Sequence, residues 1–483
     1  MTTAPNPRRW WALALIAVAQ FLVIMDTSII GVALPEIQRA VGFSQSALSW
    51  VFNAYVIAFG GLLLLGGRLS DLFGARRVFI VGFAILTGAS LLTGLAQSEA
   101  ILLAGRALQG LGSALIAPAA LTLLMMLFSH DPKELTKALA LYGAAAPAGG
   151  TAGVFLGGLL TDWIDWRWVF FVNIPIGLLV LAASTGILPA ALARRGSLDV
   201  AGALSVTAAL SLAVFGIVRA PEVGWGAIST LATLGAAVAL LILFVAIQAT
   251  RREPLMPLAI WRAPNLAAAN AAMALLGAAW IPMWFVLNLY LQQVLGFGAF
   301  EGGLALVPMT VTIMVLMVGV TARVVGRFGF KAPLVVGMLV LAAGIAWLSL
   351  APVDGTFVAN VLPATIVGAT GMSLAYIPAM LAALAGAKPE EGGLASGIVN
   401  TTYQVGSALG LAAITAIAAA YGAGQLDNLP ALVAGFHAAF IGAAIIAIVG
   451  AGLALISLRQ PAAAVASDGT AAGSTEGQPR AAA

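Results

Sequence analysis

Two ionisable side chains stand deep inside long apolar runs of the sequence. Asp26 is the one acid so placed and Arg106 the one base. An ionised Asp at mid-bilayer depth costs about 2.5–3.5 kcal/mol, and withdrawal from water favours a neutral carboxyl. A carboxyl that is neutral in one access state and ionised in another carries a proton, which is the chemistry expected of Asp26. The alternative is a structural Asp hydrogen-bonded by Thr27 or Ser28. Arg106 keeps its charge, so it needs an acid or carbonyls as partners, and Asp26 is available. Arg106, Gln109, Gly110, Ser113 and Ala117 recur at helical spacing on one small, polar face. That face is expected to look into a bundle. A structural ion pair or links to loop carbonyls are the alternative for Arg106.

Further polar and aromatic side chains interrupt apolar runs: Asn53, Tyr55, Tyr142, Trp280, Trp284, Asn288, Tyr376, Asn400, Tyr403 and Gln404. In lipid such groups need partners or a wet cavity. For any one of them interhelical packing is the simpler reading. As a group, and with Gln109, all but Tyr55 are the candidates for an amphipathic substrate cavity, where aromatic faces can stack on an organic molecule. A third set concerns movement. Ala145, Gly149, Gly153 and Gly157 repeat every four residues around Pro147, a pattern that lets helix backbones approach closely. Gly67, Asp71, Gly74, Arg76 and Arg77 crowd one short loop. There glycine permits a tight turn, Asp71 can accept from the first amides of the next helix, and the arginines can pair between halves of the molecule.

The elements that must position these residues follow from composition. The chain has 483 residues, 61% of them hydrophobic and 8% charged, against about 25% charged in soluble domains. That excludes a soluble enzyme, a disordered chain and a nucleic-acid binder. The net charge of +4 forms no basic patch, and there is no cysteine for a disulfide, thiolate nucleophile or zinc knuckle. Runs long enough to cross a bilayer, roughly 20 apolar residues each, number fourteen. They centre near Leu22, Ile57, Leu86, Leu115, Ala148, Leu178, Leu210, Leu240, Leu275, Ile313, Leu341, Ile366, Gly406 and Ile445. The seventh and eighth are joined by a short turn from Arg219 to Gly226. The fold class is an all-α integral membrane protein. With the N-terminus in the cytoplasm, 18 of the 22 Lys and Arg fall on the cytoplasmic side and only Arg39, Arg167 and Arg219 outside. Both termini are then cytoplasmic. The first run carries Asp26 and is too long for a cleaved signal, so it is read as a span. No ATP-binding Gly-x-x-x-x-Gly-Lys, no Gly-x-Ser-x-Gly and no nucleotide-binding Gly-x-Gly-x-x-Gly occurs, and His130 and His437 stand far apart. No cofactor, metal or ATP is expected, and no enzymatic activity.

The chain repeats itself. Gly67 to Arg77 after the second span matches Ala322 to Lys331 after the tenth, aligning Gly74 with Gly329 and Arg76 with Lys331, while Gly326 replaces Asp71. Ser113 and Pro118 in span four answer Ser373 and Pro378 in span twelve. Gly153 and Gly157 in span five answer Gly406 and Gly410 in span thirteen. The expected organisation is a cytoplasmic N-terminus (1–10), a six-helix bundle (11–190), a linker with two inserted spans (191–265), a second six-helix bundle (266–458) and a tail (459–483). Two parallel repeats with a site between them suit a transporter that rocks one half against the other.

Several segments resemble the major facilitator superfamily in its fourteen-span drug:proton antiporter branch. Met25-Asp26-Thr27 through Ala33-Leu34-Pro35 is similar to that branch's first-span signature, and Gly67 to Arg77 to the superfamily's hallmark loop. Arg106 to Gly112 resembles its span-four motif, and Gly153-Val154-Phe155-Leu156-Gly157-Gly158 the antiporter motif of span five. Trp166 to Pro175 and Leu289 to Gly296 are also similar. The resemblance runs from about Asp26 to Leu458. It implies proton-driven export of small hydrophobic drugs or antibiotics by alternating access, with small-molecule substrate, protons and the lipid bilayer as partners. It further implies a monomer in the cell's plasma (inner) membrane. It gives Arg106 a part in proton transfer, the span-five motif a part in antiport, and the Gly67–Arg77 loop the part of a latch. A dedicated exporter of one endogenous metabolite and a non-transporting receptor are the alternatives. The chain departs from the pattern at Val154, where Pro is usual, and at Tyr403, where relatives often carry Arg. It also has no deep acid in spans nine to fourteen. With a single deep acid, a neutral or anionic substrate is easier to accommodate than a dication.

Overall fold

The computed structural model describes residues 8–45, 47–128, 131–189, 199–385 and 392–459. Pro147 lies in a helix but its side chain is outside that description, as are His130, Arg194, Arg195, Lys388 and the tail beyond 459. Among the described residues, fourteen helices are long and apolar enough to span a membrane. Spans 1 to 6 are Arg9–Val41, Ala47–Phe73, Ala75–Gly94, Glu99–Phe128, Leu141–Trp163 and Trp168–Ile187. Spans 7 and 8 are Val200–Val223 and Ile228–Thr250. Spans 9 to 14 are Leu266–Val294, Ala299–Thr321, Lys331–Leu348, Phe357–Leu384, Gly397–Ala423 and Leu429–Ser457. Each expected centre falls inside one of them. Among the described residues every regular element is helical, as a bilayer requires where no barrel closes.

The two sets of six pack alike. Span 1 lies on spans 4 and 5, and span 3 on spans 4 and 6. In the second set span 9 lies on spans 12, 13 and 14, and span 11 on spans 12 and 14. Small residues set the close approaches at matching places. A methyl group at Gly153 or Gly157 would stand 2.8 or 2.6 Å from the Met25 or Ile29 carbonyl of span 1, and one at Gly406 or Gly410 would strike Ala274 or Ala278 of span 9. Gly82 is held against Gly112, and Gly337 against Gly371, in the same way. The matched turns agree too, because Gly74 and Gly329 both take positive φ, 87° and 71°, where a side chain would be strained. The sets meet where span 5 touches span 10 and where span 2 touches span 13. Spans 7 and 8 pack on each other, and span 7 also reaches spans 2 and 13. Asp199 caps span 7 through the Gly202 amide and accepts from Gln248 at the end of span 8, at 2.6 Å.

The loop between spans 2 and 3 departs from expectation in detail. Asp71 sits exposed in the last turn of span 2 and caps nothing; the Gly74 carbonyl takes the Arg77 and Val78 amides instead. Arg76 does not bridge the halves. It donates to the Thr185 and Leu188 carbonyls at the end of span 6, at 2.7 and 3.3 Å, where unpaired carbonyls attract a cation. The nearby arginine that reaches out is Arg68, which pairs with Glu253 in the segment between spans 8 and 9 at 2.5 Å.

Candidate functional site

Asp26 and Arg106 meet. The Arg106 Nη1 donates to Asp26 Oδ2 at 2.8 Å, and both side chains are 0% exposed. The helical face predicted for span 4 supplies the rest. Gln109 Oε1 accepts from the same Nη1 at 2.9 Å, while Gln109 Nε2 donates to Asp26 Oδ1 at 3.1 Å and to Ser90 Oγ of span 3 at 2.9 Å. Arg106 Nε donates to the Val51 carbonyl of span 2 at 2.9 Å. The Tyr55 ring lies 4.6 Å from the guanidinium carbon, a favourable face for a desolvated cation. Tyr55 in turn donates to Ser113 Oγ at 2.8 Å. Thr27 and Ser28 do not hold the carboxylate, since both hydroxyls donate to the Ile24 carbonyl.

One member of this cage has no place among the sequence-derived site residues. Asn173 Nδ2 donates to Asp26 Oδ1 at 2.7 Å. Asn173 stood in the Trp166–Pro175 segment, and its signal was an amide at the very start of an apolar run. Spans 4 and 6 therefore bond the carboxylate of span 1 directly, and spans 2 and 3 brace those donors through Val51 and Ser90. The pair is a desolvated ion pair whose carboxylate accepts three donors, the condition under which such pairs persist. With Asp26 neutral, Arg106 would keep Gln109 Oε1, the Val51 carbonyl and the Tyr55 face but lose its counter-charge, and its Nη2 already has no partner.

The cavity candidates are dispersed. Gln109 belongs to the Asp26 cage, both ends of its amide being engaged there. Asn53 is fully buried in span 2 with neither polar atom partnered. Tyr142 donates to Gln20 of span 1 at 2.8 Å. Trp280 is buried in span 9, and Trp284 lays its ring on Gly31 of span 1, where a methyl would overlap it. Asn288 donates to its own helix at the Trp284 carbonyl. Tyr376 and Tyr403 form an edge-to-face pair with centroids 5.6 Å apart. Asn400 and Gln404 are half-buried on span 13, with Gln404 against Gly60 of span 2. The span-five glycines divide the work of that helix. Gly149, Gly153 and Gly157 lie on span 1, while Val154 and Gly158, one position further round, lie on Gly303 and Ala299 of span 10.

At the end that the charge distribution assigns to the outside, glutamines tie the halves. Gln292 donates to the Val32 carbonyl at 2.9 Å, Gln293 donates to Gln38 at 3.3 Å, and Gln45 donates to Gln293 at 3.2 Å. Each such bond contributes about 1 kcal/mol. Gln293→Ala removes two of these bonds and should therefore raise the open fraction of this mouth about thirtyfold. The cysteine-free chain makes this measurable. An Asn288→Cys variant, one turn inward on the face of Gln292, should label faster with an impermeant maleimide once Gln293 is Ala. An unchanged rate would remove the glutamines from gating.

Comparison with known proteins agrees with this architecture. The model of the Major Facilitator Superfamily matches residues 16–411. The cephamycin export protein CmcT of Amycolatopsis lactamdurans is 38% identical over 90% of this chain and 89% of its own length. The puromycin resistance protein pur8 of Streptomyces alboniger is 37% identical over 86% of this chain and 82% of its own. Among solved structures, the nucleoside transporter NupG superposes with a TM-score of 0.67 at 11% identity, covering 93% of this chain and all of that one, which is a likeness of fold. With fourteen spans in two matching sets, a family model across most of its length and relatives at this identity, the chain is a membrane transporter, not an enzyme, and belongs to the drug-efflux branch of the major facilitator superfamily.

Proposed function

We propose that this chain is a proton-coupled antiporter of the plasma membrane that exports small, largely hydrophobic drugs or antibiotics. In this reading both termini are cytoplasmic, one chain suffices, and the six-helix units at 11–190 and 266–458 rock about the site between them. The observation that carries the proposal is the sealed cage around Asp26 and its mechanical connection. Asp26 is on span 1. The carbonyls on either side of it, Met25 and Ile29, bear on Gly153 and Gly157 of span 5, and the next face of span 5 bears on span 10 of the other half. Packed helices with no slack transmit small shifts. A proton on Asp26 removes the charge that binds span 1 to span 4, and span 1 is then free to reorient span 5 against span 10. Substrate bound between the halves must compete with that protonated state for one exchange per cycle. The export and resistance functions named for the relatives support the direction and the substrate class.

The test is proton movement in liposomes containing the purified chain. With a pH gradient imposed, compounds of the exported class should dissipate it, at a rate saturable in compound, while inert solutes should not. A chain that accumulates compound with no proton movement would be a facilitator or a receptor, and the antiport reading would fall.

A further inference from the structure

Asn173 opens the main helix of span 6, Asn173–Ile187, directly after the short turn Trp168–Phe171. Its Nδ2 makes the shortest of the three hydrogen bonds to the Asp26 carboxylate. Its other end is idle, because Asn173 Oδ1 is buried and has no partner. A buried carbonyl oxygen without a donor is costly, and this one sits on the amide that already bonds the Asp26 carboxylate. With Asp26 ionised, the amide must present its NH2 group, and Oδ1 then points away with nothing to accept. With Asp26 protonated at Oδ1, the requirement reverses, since the acid O–H needs an acceptor. Gln109 Oε1 is taken by Arg106. The Ser90 hydroxyl already accepts from Gln109 and, at 3.4 Å, from Asn173. The Tyr55 O–H donates to Ser113, and Arg106 offers only donors. Asn173 Oδ1 is the idle acceptor on the amide already bonded to Asp26, and a half-turn of that amide about its last side-chain bond brings it to the acid.

We propose that Asn173 is a positioning residue that serves both protonation states of Asp26, donating through Nδ2 to the carboxylate and, after its amide turns over, accepting through Oδ1 from the acid. The inference rests on the reading of Asp26 as the proton site and adds the device that makes both states tolerable in a dry bundle. The proton comes from water and returns to water, and the amide gains and loses none. Tyr55 from span 2 and Arg106 from span 4 are the titratable groups facing Asp26. Span 3 brings Ser90, span 6 brings Asn173 and span 5 brings glycines, none of which titrates.

The experiment is infrared titration of the purified full chain, following the carbonyl band of the protonated carboxyl that Asp26→Asn removes. It needs no substrate and no transport. Asn173→Leu removes donor and acceptor together. The charge-assisted bond lost from the carboxylate outweighs the neutral one lost from the acid, so the midpoint of that band should move upward by a net of about one pH unit, roughly tenfold in proton affinity, and the band should shift to the higher frequency of an unbonded acid. Asn173→Ser, smaller and easily packed, should give an intermediate midpoint and keeps the test alive if the leucine variant does not fold. A midpoint and frequency unchanged in the folded variants would overturn the role of Asn173 and leave it a packing residue. A wild-type band that never titrates would instead overturn the proton-site reading beneath it, so the two failures are distinguishable.

Discussion

Asp26→Asn is expected to reduce compound-driven dissipation of a pH gradient to the level of empty liposomes, while downhill movement of the same compounds through the protein persists. Asn has the shape of Asp and keeps one oxygen for Arg106, so the cage can still assemble. What it lacks is a site that takes up and releases a proton, and no other acid lies in reach: the cage otherwise holds Arg106, Gln109, Ser90, Asn173 and Tyr55. The substitution also leaves a buried guanidinium without its counter-charge. Breaking one side of such a pair typically costs about 3–5 kcal/mol, softened here by the bonds Arg106 keeps to Val51 and Gln109. Lower yield and a lower melting temperature should accompany the uncoupling. Arg106→Ala should be worse on both counts, because it strands a carboxylate that then stays protonated and holds the cycle in one state. Gradient collapse by Asp26→Asn at the wild-type rate would place coupling elsewhere in the chain.

The sequence made the spans legible because the physics of a bilayer is one-dimensional. A helix must be apolar for its whole crossing, and the charge that punctuates it is rare enough here to count. Asp26 and Arg106 were legible for the same reason, each being the one charge of its sign where charge is expensive. The helical spacing of Arg106, Gln109 and Ser113 even indicated which neighbours would share their face. Side-chain pairing was not legible. Nothing in the Gly67–Arg77 loop tells Arg76 to seek the end of span 6 rather than the other half, since both ends offer acceptors and only the packing of span 3 on span 6 decides. Nothing in the type or spacing of Asn173 within Trp166–Pro175 ties it to Asp26; its convergence on that carboxylate needs three dimensions. Gln109 is a cavity candidate by sequence and a cage member in the structure, since uncharged polarity in a span suits either a wet surface or a dry cage. The glycine stripe of span 5 announced close packing but not its partner, and the two faces of that helix turn out to serve two different contacts.

That division gives the second large effect. Gly153→Leu should cut exchange below about a tenth of wild type, with the chain still inserted in the membrane. A methyl at Gly153 would already stand 2.8 Å from the Met25 carbonyl and 2.9 Å from the Ser28 side chain. Those atoms are backbone and a short, bonded side chain, so span 1 itself must move, and overpacking of this kind costs about 1–3 kcal/mol. Because Met25 adjoins Asp26, the strain falls on the proton site, and the infrared band of the Asp26 acid should shift with it. Gly150→Leu is the control on the same helix, its nearest neighbours lying 3.8 and 3.9 Å away, and it should exchange at close to the wild-type rate. Gly158→Leu separates the two faces of span 5. A methyl there would meet the Ala299 carbonyl of span 10 at 2.6 Å, so it should slow exchange by prying the halves apart and leave the Asp26 band where it was. If Gly153→Leu and Gly158→Leu both leave turnover intact, span 5 does not transmit between proton and substrate. If both shift the Asp26 band, the helix moves as one rigid strut and the separation of its faces has no functional meaning.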